Sequence, residues 1–229
     1  MHSPNRFVDD GKYLAAYAAE VLVRCVRCSA PGAVVAQHDG RQWVATFDCS
    51  NCDLHLSSMR GDWVGPVCLQ GRRPCGYCGH KWLLPRIKQT GWPREVVESI
   101  ATTCSECGRD SIVPLEPYRV YDGTGNIDPH FGLPLLLSNA GRFGAIWAYN
   151  AGHLSALKAY ISATLRERSA NAGNKSMFSR LPGWMKAAKN RQAVAKRLAK
   201  LEQLLPNPSI EGTSASGLRP LAAAPHVKR

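Results

Sequence analysis

Eight cysteines stand in four Cys-x-x-Cys pairs, Cys25/Cys28, Cys49/Cys52, Cys75/Cys78 and Cys104/Cys107, leaving only Cys68 of the nine unpaired. A Cys-x-x-Cys turn sets two sulfurs on one side of a tight loop. Two such turns from facing hairpins close a tetrahedral thiolate site, the coordination that structural zinc prefers. Twenty residues separate Cys28 from Cys49 and twenty-five separate Cys78 from Cys104, each about the length of a hairpin that returns the second turn to the first. Sequential pairing needs shorter loop closures than an interleaved arrangement in which the first pair shares its ion with the third. The spacing therefore predicts two tandem four-cysteine zinc ribbons and two structural zinc ions, with all eight paired cysteines as ligands. Iron suits the same thiolates chemically.

Other reactive side chains have weaker claims. His55 and His80 each follow a pair closely enough to replace a cysteine, but with four thiolates per site they read as a surface residue and a shield of the metal. Cys68 lies in a Gly/Pro-punctuated link, DWVGPVCLQGRR, with no histidine or base placed to lower its pKa, so it reads as a buried apolar-like thiol rather than a nucleophile. DGTGN at 122–126 lacks the lysine and strand-to-helix setting of a phosphate loop and reads as a turn. There is no His-Glu-x-x-His, no His-x-Glu with Pro-Cys-x-x-Cys and no nucleophile elbow. A saturated thiolate site also leaves a metal no open position, so the expectation is a protein that is not an enzyme and has no small-molecule substrate.

The elements that must position these cysteines follow from periodicity. In 1–24, Tyr13, Tyr17 and Val21 recur every four residues among alanines, predicting a short N-terminal helix over 11–22. In 25–60 the runs AVVAQH and QWVATF flank Asp39-Gly40, a strong hairpin signal. In 61–119 the arms KWLLPRIK and REVVESIATT lie either side of QTGWP; the second arm reads as a strand from its β-branched content, although Pro93 would also suit a helix start. In 120–168 the apolar runs LPLLL and AIWAY predict two strands joined by a turn. Asn150 then caps a helix through about Arg168, with Leu154, Leu157, Ile161 and Leu165 as its core stripe. Residues 169–182 read as a linker, 183–205 as a basic amphipathic helix, and the Pro/Ser/Gly/Ala-rich 206–229 as a disordered tail. The fold class is α+β.

Charge is unevenly spread. Residues 1–148 hold 15 Lys/Arg and 14 Asp/Glu, whereas 149–229 hold 14 and 3. Eight thiolates on two divalent ions would bring the first region to about −3 and leave the tail near +11. Attraction to polyanions should therefore centre on the C-terminal third. On the helix at 183–205, Lys186, Lys189, Lys196, Arg197 and Lys200 project within one arc, opposite Trp184, Val194, Leu198 and Leu201. Arg72, Arg73, Lys81, Arg86 and Lys88 surround the second ribbon, where Trp82, like Trp43 in the first, either stacks on bases or packs under its hairpin. No apolar run is long enough to span a membrane and no signal peptide is evident, so the cytoplasm is the expected compartment.

One stretch carries a resemblance. Asp128 to Leu135 (DPHFGLPL), Trp147 to Asn150 (WAYN), His153-Leu154 and Leu165 to Arg168 (LRER) resemble the C-terminal pattern of a family of small bacterial zinc-ribbon proteins, labelled transcription-factor-IIB-type. The pattern is covered closely over about forty residues, with departures at Leu136 and in the SNAGRF turn. The resemblance implies a fold and zinc. The expected function is a zinc-binding, non-catalytic nucleic-acid-binding or adaptor protein whose partner is DNA or RNA. The alternative is a protein-interaction subunit of a larger bacterial assembly in transcription, mobile-element or defence functions.

Overall fold

A computed structural model describes residues 5–91, 97–121, 126–168 and 176–206. The chain opens with β1 (Arg6–Asp9) and one 3-10 turn at Leu14–Tyr17, then enters β2 (Glu20–Arg24). The N-terminal helix expected over 11–22 is therefore replaced. The physical reason is that Val21, Leu22 and Val23 are buried in succession: Leu22 reaches one core and Val21 and Val23 another. A strand covered on both faces buries consecutive residues, which a half-exposed helix cannot.

After β2 come β3 (Pro31–His38), β4 (Trp43–Asp48) and β5 (His55–Ser57), forming an antiparallel sheet in the order β2-β3-β4-β5. The β3–β4 hairpin turns at Asp39-Gly40 as expected: Asp39 Oδ1 accepts the Arg41 and Gln42 amides at 2.8 Å, and Gly40 takes φ +95°.

The second cysteine region is wired differently. It contains β6 (Val67–Gln70), β7 (Arg86–Gln89), β8 (Ser99–Thr103), β9 (Asp110–Pro114) and β10 (Glu116–Arg119). Strands β10-β6-β7 make one antiparallel sheet and β8-β9 a separate ribbon. Among the described residues the two arms do not pair with each other: β7 pairs back to β6 and β8 pairs forward to β9. The second arm is a strand over its described end, while 94–96 lie outside the described residues.

The DPHFGLPL stretch is a buried loop centred on Asp128, which is wholly inaccessible. Its carboxylate accepts the amides of His130 (2.8 Å), Phe131 (2.9 Å) and Leu133 (2.5 Å). Burial pushes this carboxyl above its ordinary range, against the downward pull of those three amides. Phe131, Leu133 and Leu135 thereby enter the core of the first ribbon. Gly132, at φ +75°, approaches Gly65 so closely that an added Cβ would lie 2.5 Å from the Gly65 Cα. Only glycine fits both demands.

The expected hairpin shrinks to β11 (Ser138–Asn139) and β12 (Ile146–Trp147); LPLLL is instead extended chain bonded to β2 at Leu22 and Arg24. Helix α1 (Ala151–Ser162) starts at Asn150, whose Oδ1 accepts the His153 amide at 2.9 Å. It ends before the LRER residues, which form β13 (Leu165–Arg168), parallel to β1. Arg166 terminates the helix, donating to the Tyr160 and Ile161 carbonyls. Leu154, Leu157 and Ile161 are buried, but Leu165 is exposed.

Of the expected linker, 169–175 lie outside the described residues, but Ser176, Met177 and Phe178 are buried and belong to the body. The expected helix over 183–205 is broken into α2 (Gly183–Lys186), a 3-10 turn at Ala188–Asn190 and α3 (Arg191–Glu202). Ala187 is extended, which lets Asn190 Nδ2 donate to the Trp184 carbonyl (2.8 Å) and Arg166 reach the Lys186 carbonyl (2.9 Å). Of the tail expected to be disordered over 206–229, all but Pro206 lies outside the described residues. None of the described helices is long and apolar enough to cross a membrane.

The WAYN and His-Leu residues form a structural clasp. Asn150 Nδ2 donates to the Tyr17 and Glu20 carbonyls, tying α1 to the start of the chain. His153 is buried, stacks on Tyr17 at 4.9 Å and accepts the Tyr149 amide on Nδ1 at 3.1 Å. Burial lowers its pKa from the ordinary 6.5 to about 4. Because the folded state resists protonation, stability held above about pH 6.5 should fall as the pH drops toward 4, by about 2 kcal/mol between pH 7 and 5. Urea titrations of metal-saturated protein followed by tryptophan fluorescence should show that contribution on top of the pH dependence of metal binding, and His153→Gln should make the slope shallower by about that amount.

Candidate metal centres

Each site is built from two copies of one turn. In all four pairs the amide of the first cysteine donates to the carbonyl five residues on: Cys25 to Ala30, Cys49 to Leu54, Cys75 to His80 and Cys104 to Arg109, at 2.9 to 3.0 Å. Three of the four closures use a residue in the left-handed region just after the pair; Asp53, after Cys52, closes its turn without one. Ser29, Gly79 and Gly108, each just after a pair, take positive φ. The turn leaves amides aimed at sulfur, as in Arg27 N–H to Cys25 Sγ and Tyr77 N–H to Cys75 Sγ, both 3.4 Å.

The strands then bring the turns together in sequence. Cys25, Cys28, Cys49 and Cys52 form one cluster and Cys75, Cys78, Cys104 and Cys107 the other, with all four sulfurs of each within 4.8 Å of one another. The pairing is sequential. Closest approaches are 3.6 Å for Cys25 to Cys52, 3.5 Å for Cys28 to Cys49, and 3.7 Å for both Cys75 to Cys107 and Cys78 to Cys104. Disulfides would require about 2.05 Å. A tetrahedron with metal–sulfur bonds of about 2.3 Å has edges of about 3.8 Å, so each cluster fits one metal ion.

The electrostatics point the same way. The Ala30 amide, followed by the Asn51 side chain, pulls the Cys28 thiol down to about 6. The Cys78 and Tyr77 amides do the same for Cys75. Cys52 and Cys78 go the other way, to about 12: the Leu54 and His80 amides pull them down, but desolvation and three neighbouring sulfurs outweigh that. Four crowded thiols cannot all ionise without a countercharge, and a central cation supplies it. Metal binding therefore releases protons, and occupancy should fall as the pH is lowered.

His55 is no ligand: its Nδ1 lies 2.5 Å from Asp48 Oδ1 on the surface. His80 holds the turn through its carbonyl, and its ring sits 4.0 Å from Glu106. One contributor escaped the sequence reading. Ser111, on β9, is buried; its Oγ accepts the Gly76 amide at 3.2 Å and donates to Cys75 Sγ at 3.9 Å. No spacing signal marks a serine four residues beyond the last cysteine. Ser111→Ala should weaken metal binding at the second site by about tenfold, measured by competition with a chromogenic chelator, and leave the first site unchanged.

The five cations expected on the last helix do not form one array. Arg197 turns inward, donating from Nε to Asn139 Oδ1 (2.8 Å), and from Nη2 to both the Asn139 and Gly144 carbonyls. Lys186 is half-buried and donates to the Ser179 carbonyl at 3.1 Å. Lys189, Lys196 and Lys200 are exposed. The tryptophans also divide: Trp43 packs edge-on against His38 and His130, whereas Trp82 is 44% exposed with Arg72 3.5 Å over its ring. Cys68, expected to be buried, is only half-buried. It faces outward because its neighbours Val67 and Leu69 take the inner face of β6. No protein-family model, curated protein or solved structure matches the chain.

Proposed function

We propose that the protein is a non-catalytic nucleic-acid-binding protein held together by two structural zinc ions. Four protein thiolates fill a tetrahedral ion, so neither site retains the open position that metal catalysis needs. Zinc is the ion of choice for such paired Cys-x-x-Cys turns. The resemblance of residues 128–168 to small bacterial zinc-ribbon proteins points the same way.

The observation that carries nucleic-acid binding is the division of α3. Val194, Leu198 and Leu201 are buried, while Lys196 and Lys200, one turn apart, and Lys189 just before them face solvent. Among the described residues none of the three has a carboxylate partner; the nearby Glu202 pairs with Lys158 instead. Unpaired lysines on a rigid element can contact phosphates at little cost in ordering.

Deleting α3 would strip the core, so the test is substitution. In the zinc-loaded full chain, changing Lys189, Lys196 and Lys200 to Gln should reduce the slope of log affinity for duplex DNA against log salt by about 2 to 3. An unchanged slope, or no binding at low salt in the parent protein, would defeat the reading in favour of a protein-docking adaptor.

A further inference from the structure

The register of the β10-β6-β7 sheet puts two rows of side chains on one face: Glu116, Gln70 and Arg86 in the first, and Tyr118, Cys68 and Lys88 in the second. Val67 and Leu69 point the other way, into the core. The rows continue into a groove of about 620 Å³ lined by Arg72, Arg73, Trp82, Arg86, Glu116 and Tyr118, among others. Its edges carry two exposed aromatics, Trp82 at 44% and Tyr118 at 45%.

The charges are asymmetric: three guanidinium groups line the groove against one carboxylate. Glu116 is engaged by the Tyr118 hydroxyl at 2.8 Å. Arg73 is also engaged, donating to the Ile112 carbonyl at 2.5 Å. The Arg72 guanidinium carbon lies over Trp82, 3.5 Å from the ring centroid, and neither Arg72 nor Arg86 has a carboxylate partner among the described residues. Exposed aromatic faces, a guanidinium already in the stack and cations at sheet spacing are the elements of a platform for unpaired bases.

We infer that this face of the second ribbon binds single-stranded nucleic acid, with bases stacking on Trp82 and Tyr118 and phosphates meeting Arg72, Arg86 and Lys88. Selectivity for single strands follows from the stacking: in a duplex the base faces are already covered, so the aromatics gain nothing. This inference rests on the nucleic-acid reading above and assigns it a second surface, distinct from the α3 lysines. Three phosphate contacts give an expected salt slope of about −2 on a single strand.

The experiment measures binding of a fluorescent twelve-residue oligothymidylate, and of a duplex of the same length, to the zinc-loaded full chain. Trp82→Ala and the Arg86→Glu, Lys88→Glu pair should each weaken oligothymidylate binding by about tenfold or more and leave duplex binding within about twofold. Trp82→Phe should restore most of the loss, and zinc content and circular dichroism should match the parent. If the Lys189, Lys196 and Lys200 changes abolish single-strand binding while the groove variants do not, the groove assignment is overturned and the nucleic-acid reading survives. If neither oligonucleotide binds, both fall. If oligothymidylate does not bind and a fluorescent acidic peptide binds the parent protein but not Trp82→Ala, the face is a protein-docking surface and the inference is wrong.

Discussion

Stripping the metal from the folded protein is expected to melt the second cysteine region while the sheet of the first survives. The two differ in what lies beneath them. The first cluster is backed by Val21, Val23, Val34, Phe47, Leu54 and Leu56, joined by Phe131, Leu133 and Leu135 from the buried loop. Under the second the buried cluster is Cys75, Cys104, Leu83 and Val113, half of it candidate metal ligand. Structural zinc contributes on the order of 10 kcal/mol or more in apparent binding free energy, far more than two buried aliphatic side chains at roughly 1.5–3 kcal/mol each. Hydrogen exchange after chelation should therefore show the Cys75 and Cys104 amides and the β8-β9 ladder losing protection, with β2 to β4 retaining it. Cys104→Ser should reproduce this pattern in the presence of zinc and bring the metal content from two ions per chain to one. Uniform loss across both regions would show that the cores are not independent. Full retention would show that metal is dispensable.

The second large effect is expected at Asp128. Replacing it with Ala removes the acceptor for the amides of His130, Phe131 and Leu133 and leaves them without a partner in a buried loop. At about 1–3 kcal/mol for each buried donor left unsatisfied, the loss should be about 3–5 kcal/mol, a large share of the stability of a domain this size. Asp128→Asn keeps an acceptor for His130 and Phe131 but turns an N–H toward the Leu133 amide, so it should cost less, about 1–2 kcal/mol. Urea denaturation of zinc-saturated protein gives both values. Equal losses for the two variants would mean that the site tolerates a change of shape but not of charge.

The cysteine turns were legible because a local rule governs them: Cys-x-x-Cys closes the same turn in all four pairs, and spacing then sets which turns can meet. Asp39-Gly40 and the Asn150 cap were legible for the same reason. What escaped depended on distant partners. Leu165 to Arg168 carry a helical pattern, yet parallel pairing with Arg6–Asp9 and the return of Arg166 to the end of α1 draw them into a strand. The run from 183 to 205 has no Pro or Gly to break it after Gly183; acceptors at Trp184 and Lys186 break it at Ala187. Arg197 matched its lysine neighbours on a helical wheel, and only the fold shows that it secures the β11-β12 turn. In the second region, the two arms took other partners: β8 pairs with β9, which follows it more closely than β7 precedes it, whereas β7 pairs back to β6 across a longer connection than the one that leads to β8.

The pairing of β1 with β13 also bears on the order of events during synthesis. Arg6 meets Leu165 and Asp9 meets Arg168, and buried Asp9 accepts the Ser176 hydroxyl at 2.5 Å. β1 thus has no partner until the residues of β13, more than 150 positions on, have followed it, whereas each thiolate cage closes within about thirty residues. Cotranslational folding should accordingly close the metal sites before the seam between β1 and β13.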